Sequence, residues 1–125
     1  KYMIDGLTKE ADARGLTNIK AIVCDITGTL PIEDACIDVC FLATVLHTIN
    51  LGEHGKRLSA EIHRVVKPGG RVAIINCKKE DQPFGPPIHI RLSPEEVEDS
   101  ITQYGFEKMD LIDLGYNYLI QFRAT

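Results

Sequence analysis

A helix that stops at a proline and a glycine pair, and then leads straight into an apolar strand, most constrains the fold of this chain. Pro68 lacks a backbone N–H and cannot continue a helix, and Gly69 or Gly70 can supply the left-handed turn that ends it. The residues from Val72 to Ile75 show no polar alternation, which is typical of a parallel strand covered on both faces. The sequence therefore predicts an α/β fold.

Composition limits the class of protein and its partners. The 125 residues are enough for one small domain with its own core. A net charge of -4 argues against nucleic acid or an anionic membrane surface as a partner, because both bind basic patches. No apolar run approaches the roughly 18 residues of a membrane-spanning helix, and no signal peptide precedes the first predicted helix. We therefore expect a cytoplasmic protein.

The four cysteines are expected to be buried, reduced thiols rather than metal ligands. Cys36 and Cys40 are spaced for one face of a helix, but residues 37–41 favour a strand instead. Cys24 and Cys77 each fall near the carboxyl end of a predicted strand, where a redox or thiophilic role is the alternative. The sequence predicts no metal site.

The remaining patterns predict further helices and strands on either side of the opening motif. Helices are predicted over residues 4–14, over a stretch that ends at residue 67, and from residue 94 onward. Strands are predicted over residues 21–24, 37–43, 71–77, 106–114 and 117–123. Ser93 and Glu96 form a capping box for the third helix, with Pro94 at its first position. Only Gly115 and Tyr116 separate the last two strands, which predicts an antiparallel hairpin.

Several short stretches along the chain also share the order and spacing of one known family. They are Leu30-Pro31, Asp38-Val39, and residues 44–49, 61–70, 93–97 and 104–106. In this combination the chain resembles the class I S-adenosylmethionine-dependent methyltransferases, in particular the small methyltransferase-domain group. The resemblance covers nearly the whole chain. It implies a Rossmann-like, doubly wound sheet that is mostly parallel and ends in the antiparallel hairpin.

Two parts of the family pattern have no counterpart in this sequence. One is the first strand with its glycine-rich loop, which approaches the methionine end of the cofactor. The other is the acidic residue at the end of the second strand, which holds the ribose. Residues 1–125 thus resemble the C-terminal two-thirds of a methyltransferase domain, truncated at the N-terminus with its first two strands missing. Such a truncation would expose an apolar sheet edge, and we expect that edge to pair in a homodimer.

The resemblance implies that S-adenosylmethionine is the cofactor. It places the adenine against the carboxylate of Asp25, with the backbone N–H of Ile26 facing a ring nitrogen. Asp25 ends a predicted strand, where ligands of open α/β sheets bind, although an Asx turn leading into Thr27 is an equally good interpretation. Leu42, near the end of the following strand, is the implied apolar contact with the cofactor.

Residues that could face a methyl acceptor come later in the chain. His47 stands where family members often carry histidine, just inside the next helix, and is expected as an acceptor-side contact or a weak general base; a partly buried structural histidine is the alternative. Residues 78–90 form a long loop at the carboxyl end of a strand, where Phe84, His89 and Arg91 could line an acceptor pocket. The same loop could also be a surface excursion without a role. No catalytic residue can be named, since methyl transfer depends mainly on alignment.

The sequence predicts a methyltransferase, or a fragment of one, that acts on an unidentified small-molecule acceptor. Because the ribose and methionine sides of the site have no counterpart, we expect the chain alone to be inactive. One alternative is a non-catalytic, truncated module that dimerises or pairs with a partner. Another is a haloacid-dehalogenase-like phosphatase, because Asp25-Ile26-Thr27-Gly28-Thr29 resembles its nucleophile motif. The later strand ends, however, carry no paired acid to hold Mg²⁺.

Overall fold

The computed structural model describes residues 2–125, and within them three helices alternate with four strands. In chain order these are α1 (Tyr2–Ala13), β1 (Ile37–Ala43), α2 (Leu51–Val65), β2 (Val66–Cys77), α3 (Pro94–Ile101), β3 (Phe106–Asp113) and β4 (Asn117–Ala124). Single turns of 3-10 helix lie at Leu46–Thr48, Ile88–Ile90 and Thr102–Tyr104. The alternation of helix and strand confirms the predicted α/β class.

The four strands form one sheet in the order β1-β2-β4-β3. Strands β1 and β2 are parallel, whereas β4 runs antiparallel to both of its neighbours. Three strands therefore share one direction, and β3 and β4 form the predicted hairpin. Its turn contains Gly115, whose φ of 89° is a conformation that glycine adopts without steric cost. The described sheet is therefore mixed, with one parallel pair and two antiparallel pairs, and it has the predicted Rossmann-like arrangement with an antiparallel end.

Local capping signals fix where two of the helices begin. The side chain of Asn50 accepts hydrogen bonds from the backbone N–H groups of Gly52 and Glu53, and α2 starts directly after it. At α3, Ser93 and Glu96 form the reciprocal capping box that the sequence predicts. Both helices therefore start at side chains that satisfy otherwise unpaired N–H groups.

The junction between α2 and β2 is tighter than predicted. Helix α2 ends at Val65, two residues before the expected Lys67, and β2 begins at the next residue. In the pairing of the two strands, Ile37 of β1 lies opposite Val66 of β2, and Val39 lies opposite Arg71. The extra residues of β2 between these two pairs form a bulge. The Pro-Gly-Gly motif is thus a bulge inside β2, and the prediction that it ends the helix is wrong: α2 ends at Val65, and Val66, which follows it, is already extended.

The two glycines of this bulge have different roles. Gly69 has a φ of 80°, so it supplies a left-handed turn, but this turn lies within the bulge of β2 and not at the end of the helix. Gly70 is needed for space, because a Cβ atom there would lie 2.6 Å from Cγ1 of Val66 and 2.9 Å from the carbonyl oxygen of Asp38. The paired glycines therefore let β1 and β2 approach each other at the point where pairing begins.

The hydrophobic core lies between one face of the sheet and the helices α2 and α3. On the sheet side, Val72, Ile74, Ile120 and Phe122 are fully buried. The helices contribute Leu58, Ile62, Val65, Val97 and Ile101 to the same cluster. This core fixes the positions of β1 and β2, whose carboxyl ends carry the candidate site.

The other face and the β1 edge are much more open. In the described sheet β1 has β2 as its only neighbour, and Val39 and Phe41 on β1 are 54% and 61% exposed. In α1, Ala11 is buried but Leu7 is 45% exposed. The apolar edge expected from the sequence is therefore present.

The predicted strand at residues 21–24 is wrong. Within the described chain this segment pairs with no other strand, and Ile22 and Val23 are 38% and 57% exposed. Apolar residues favour a strand only where a neighbour satisfies the backbone N–H and C=O groups. The sheet here offers none to this segment.

Candidate functional site

A strained residue marks the carboxyl end of the parallel strand pair. Thr44 directly follows β1 and has a φ of 54°, which is unusual for a β-branched residue. It is held there because its N–H donates to the Ile75 carbonyl at 2.7 Å and its hydroxyl donates to the Ala43 carbonyl at 2.7 Å. Such strain clusters at functional sites, and ligands of open α/β sheets bind beyond the carboxyl ends of the strands. This end of the sheet is therefore the candidate site.

Asp25 lies in an exposed turn and not at the end of a strand. Its Oδ1 accepts hydrogen bonds from the Thr27 hydroxyl at 2.6 Å and from the Thr27 backbone N–H at 2.9 Å. The N–H of Gly28 donates to the Asp25 carbonyl at 3.1 Å, which closes the turn. The Thr27 hydroxyl, and then the Thr27 N–H, lower the pKa of Asp25, so the carboxylate is ionised at neutral pH. The Asx turn considered from the sequence is therefore formed.

This turn still leaves two polar groups available to a ligand. Among the described residues, Oδ2 of Asp25 accepts no hydrogen bond and the N–H of Ile26 donates none. The Ile26 side chain packs against the core, which fixes the direction of its backbone. A carboxylate acceptor beside an N–H donor matches the amino group and adjacent ring nitrogen of adenine. The binding of an adenine by Asp25 and Ile26 is therefore chemically feasible and stays a prediction.

Leu42 contributes to this end of the sheet mainly through its backbone. Its side chain is partly buried and packs against the core cluster. The adjacent Phe41 and Ala43 are exposed, because alternate residues of a strand point to opposite faces. An apolar contact between the Leu42 side chain and a cofactor remains a prediction.

Two of the predicted acceptor-side residues line one cavity. This cavity has a volume of about 600 Å³ and lies between the segment after β1, the start of α2 and the start of α3. His47 and His89 both line it. Its other lining residues are Thr48, Ile49, Asn50, Leu51, Gly52, Ile90, Arg91, Leu92, Glu96 and Ser100. His47 lies in a 3-10 turn and not just inside the following helix as predicted, because α2 starts only at Leu51.

Phe84, the third predicted acceptor-side residue, lies apart from the two histidines. It lines an adjoining cavity of about 280 Å³, and its ring packs edge-on against Tyr116 with 4.8 Å between the ring centroids. Arg91 lines both cavities. The structure therefore brings together His47 and His89, with Phe84 on the far side of Arg91.

Arg91 organises the long loop from within and does not project into open space. It is 5% exposed, and its guanidinium donates to backbone carbonyl groups only. The acceptors are Pro86 at 2.7 Å, Glu80 at 2.8 Å, Phe84 at 2.9 Å and Lys78 at 3.3 Å. A buried cation must be compensated by such dipoles, so these contacts hold the loop in one conformation. This internal role was not evident from the sequence.

A charged face of α2 holds the segment that follows Asp25, and sequence reasoning missed this function. Glu61 and Arg64 form an ion pair of 2.7 Å on adjacent turns of the helix, and both also bond to the backbone of Leu30. Hydrogen bonding to Arg64 lowers the pKa of Glu61, and the same contact raises the pKa of Arg64. The available signal was the i,i+3 spacing of opposite charges next to the apolar stripe of the helix.

Other features of the described chain bear on the remaining predictions. Cys24 and Cys36 are exposed, so the expectation of buried thiols is wrong for these two; burial raises the pKa of Cys40. Within residues 2–125 no three His, Cys, Asp or Glu side chains are grouped so that they could hold a metal ion. None of the helices described here is long and apolar enough to span a membrane.

Solved structures of other proteins share this fold. A SAM dependent methyltransferase from Aquifex aeolicus aligns over 98% of this chain with a TM-score of 0.89 and 25% identity. The PH0226 protein from Pyrococcus horikoshii OT3 aligns over all of it with a TM-score of 0.81 and 20% identity, which covers 68% of that protein. The alignment covers 64% of the Aquifex chain, so this chain spans less than two-thirds of that relative.

A third structural neighbour was solved with ligands. It is the geranyl diphosphate C-methyltransferase from Streptomyces coelicolor A3(2) in complex with Mg²⁺, geranyl diphosphate and S-adenosyl-L-homocysteine. It is 16% identical and aligns over 94% of this chain and 59% of its own length, with a TM-score of 0.71.

Sequence comparisons complete the assignment. A search of curated proteins finds no match to this chain. A family model described as a methyltransferase domain matches residues 1–74, which is more than half of the chain. The protein therefore belongs to the methyltransferase-domain family and has the Rossmann-like fold of the class I S-adenosylmethionine-dependent methyltransferases.

Proposed function

We propose that this chain provides the adenine-binding and acceptor-facing part of an S-adenosylmethionine-dependent methyltransferase with a small-molecule acceptor. The observation that carries the proposal is the pair of available polar groups, Oδ2 of Asp25 and the N–H of Ile26, in a chain of this family. The ligands of the Streptomyces neighbour, S-adenosyl-L-homocysteine and a small-molecule substrate, support the same class of site.

The residues of this chain would bind and orient the reactants. S-adenosylmethionine would supply an electrophilic methyl group, so the protein needs to align the acceptor and exclude water more than to transfer protons. The Asp25 carboxylate and the Ile26 N–H would form hydrogen bonds with the edge of the adenine. The backbone of Leu42 would lie along the cofactor. The strained Thr44 would fix the chain at the point where β1 ends.

The polar cavity beside the end of β1 is our candidate for the acceptor pocket. His47 and His89 both line it, and an imidazole can accept a proton from a hydroxyl or amine acceptor near neutral pH. Its volume of about 600 Å³ lies in the range of small-molecule sites. Phe84 would act at the rim of this region, because it lies on the far side of Arg91.

Titration calorimetry with S-adenosyl-L-homocysteine tests this proposal. We expect saturable binding to the folded chain, and we expect Asp25→Asn to weaken it by roughly 10-fold or more, because a hydrogen bond to a charged group contributes about 1.5–3 kcal/mol. Asp12→Asn, which removes a carboxylate on exposed α1, is the matched control and should leave the affinity unchanged. Absence of binding to correctly folded protein, or equal effects of the two variants, would contradict the proposal.

A second candidate function is a non-catalytic module that pairs through its sheet edge. It is favoured by the exposed apolar side chains of Val39 and Phe41 on β1, at the open edge of the described sheet. We propose a second copy of the chain as the partner, since an edge strand can pair with its own equivalent in antiparallel fashion. Cofactor binding distinguishes the two functions, because a module that only pairs with a second copy would bind no S-adenosylmethionine.

The cytoplasmic location predicted from the sequence also stands as a proposal. It is supported by the cysteines, all four of which are free thiols. Free thiols persist in reducing compartments, whereas oxidising compartments favour disulfides.

A further inference from the structure

The position of Asp25 has to be fixed by the residues that follow it. The segment before it, residues 16–25, pairs with no strand of the described sheet. After Asp25 the chain makes a tight turn, closed by the bond from the Gly28 N–H to the Asp25 carbonyl. The turn is held in part by the Ile26 side chain, which packs against the core, and by a hydrogen bond of 2.9 Å from Arg57 to the Thr29 hydroxyl; the remaining contacts lie near residue 30.

Leu30 is held by both of its backbone polar groups. Its N–H donates to Oε1 of Glu61 at 2.8 Å, and its carbonyl accepts from Nη2 of Arg64 at 3.0 Å. Glu61 and Arg64 are themselves joined by the bond from Nε of Arg64 to Oε2 of Glu61 at 2.7 Å. The two peptide groups of Leu30 are thus held by hydrogen bonds to the Glu61–Arg64 ion pair on α2.

The same two-residue pair holds the next part of the loop. Nη1 of Arg64 donates to the Ile32 carbonyl at 2.8 Å and to Oδ1 of Asp34 at 2.7 Å. The Arg64 backbone carbonyl accepts from the N–H of Ala35 at 2.8 Å. Because α2 packs in the core, these contacts hold the loop in a fixed position relative to the core.

We propose that Glu61 and Arg64 are positioning residues that hold the turn from Asp25 to Leu30 against α2. They touch no reacting group, and they act by fixing where Oδ2 of Asp25 and the N–H of Ile26 are presented. This inference rests on the proposed function for its consequence in ligand binding. Its structural part, the holding of the turn, is measurable without any ligand.

Hydrogen exchange of the ligand-free chain tests the holding of the turn. We expect Glu61→Ala to speed exchange of the Leu30 amide by at least tenfold, because that N–H loses its acceptor. Glu61→Gln should restore part of the protection, since the amide oxygen of glutamine still accepts a hydrogen bond. Glu10→Ala is the matched control, because it breaks a Glu–Arg pair of the same 2.7 Å length on exposed α1.

The core amide of Ile74 reports global unfolding, and any acceleration of its exchange in Glu61→Ala should be smaller than the acceleration at Leu30. An equal acceleration at Leu30 and Ile74 in Glu61→Ala would show a loss of global stability alone and would overturn the proposal. Arg64→Lys keeps the charge but loses the two hydrogen bonds of the guanidinium to the carbonyl groups of Leu30 and Ile32, and it should likewise speed exchange more at Leu30 than at Ile74. Unchanged exchange at Leu30 in Glu61→Ala and Arg64→Lys would overturn the proposal.

Affinity for S-adenosyl-L-homocysteine tests the consequence. We expect Glu61→Ala to weaken binding about tenfold, with Glu61→Gln intermediate and Glu10→Ala unchanged. Faster loop exchange with unchanged affinity would overturn the positioning role, although the proposed function would stand. If the unaltered chain binds no ligand, the proposed function fails, and the exchange at Leu30 alone decides whether Glu61 and Arg64 hold the turn.

Discussion

The side-chain amide of Asn76 donates a hydrogen bond to the hydroxyl of Tyr118 across 3.2 Å. That hydroxyl in turn donates to the carbonyl of Leu92 at 2.7 Å, so the chain of bonds joins β2, β4 and the segment before α3. Asn76 and Tyr118 are 4% and 2% exposed. Burial raises the pKa of Tyr118 to about 12, and the hydroxyl therefore remains a donor throughout the ordinary pH range.

Removal of this hydroxyl should destabilise the fold. Tyr118→Phe leaves the Leu92 carbonyl and the Asn76 amide without their partner, and an unsatisfied buried polar group costs about 1–3 kcal/mol. We expect the free energy of unfolding, measured by urea denaturation, to fall by that amount. Tyr116→Phe, at a position that is 51% exposed, should change it by less than about 0.5 kcal/mol. Equal effects of the two variants would show that the buried hydroxyl contributes nothing.

The glycine at position 70 should not tolerate a side chain. In Gly70→Ala the new Cβ would lie 2.9 Å from the Asp38 carbonyl oxygen, so β1 and β2 would have to separate where their pairing begins. Overpacking of this kind costs about 1–3 kcal/mol, and thermal unfolding should report it as a lower midpoint. Gly6→Ala in α1, where a Cβ meets nothing within 4 Å, should not lower the midpoint. A midpoint for Gly70→Ala equal to that of the unaltered chain would contradict the close approach.

The Glu61–Arg64 pair should make stability depend on pH in the acid range. The pKa of Glu61 in the folded chain is lowered by Arg64, and Arg57 adds to the same effect, so the unfolded chain binds more protons as the pH falls. The contribution is therefore complete above the unfolded pKa and is lost as the pH falls through the folded pKa. Urea midpoints between pH 7 and pH 3 should fall less steeply for Glu61→Gln, which cannot titrate. An identical pH profile for the two proteins would contradict this account.

The open edge at β1 should govern self-association. Phe41→Lys places a charge on an apolar side chain that is 61% exposed, so it should shift the chain toward monomer if copies pair through β1. Met109→Lys is the control on the opposite edge strand, at a position that is 43% exposed. Sedimentation velocity over a range of concentrations measures both. A chain that stays monomeric before mutation, or an equal response to both variants, would exclude this interface.

The correct sequence predictions depend on interactions between residues close together in the chain. The capping box of Ser93 and Glu96 forms within one helical turn, and the hairpin around Gly115 needs only a turn residue that tolerates positive φ. Each of these patterns carries its own physical cause in the sequence.

The errors depend on partners that are distant in sequence. Residues 21–24 have the composition of a strand, but a strand exists only where another one pairs with it, and this sheet offers no neighbour there. The roles of Arg91 and Arg64 were missed because their acceptors are backbone carbonyls, which no sequence pattern marks. His47 and His89 were both named as candidates, but only the fold places them along one cavity.

The most direct test of the central claim is a titration of the ¹⁵N-labelled chain with S-adenosyl-L-homocysteine, followed by amide NMR shifts. We expect saturable shifts at Ile26 and around Leu42 and Thr44, where the turn and the end of β1 would meet the ligand. Shifts confined to the separate cavity of about 370 Å³, which Lys78 and Asp113 help to line, would contradict the account. So would a spectrum of folded protein that does not change.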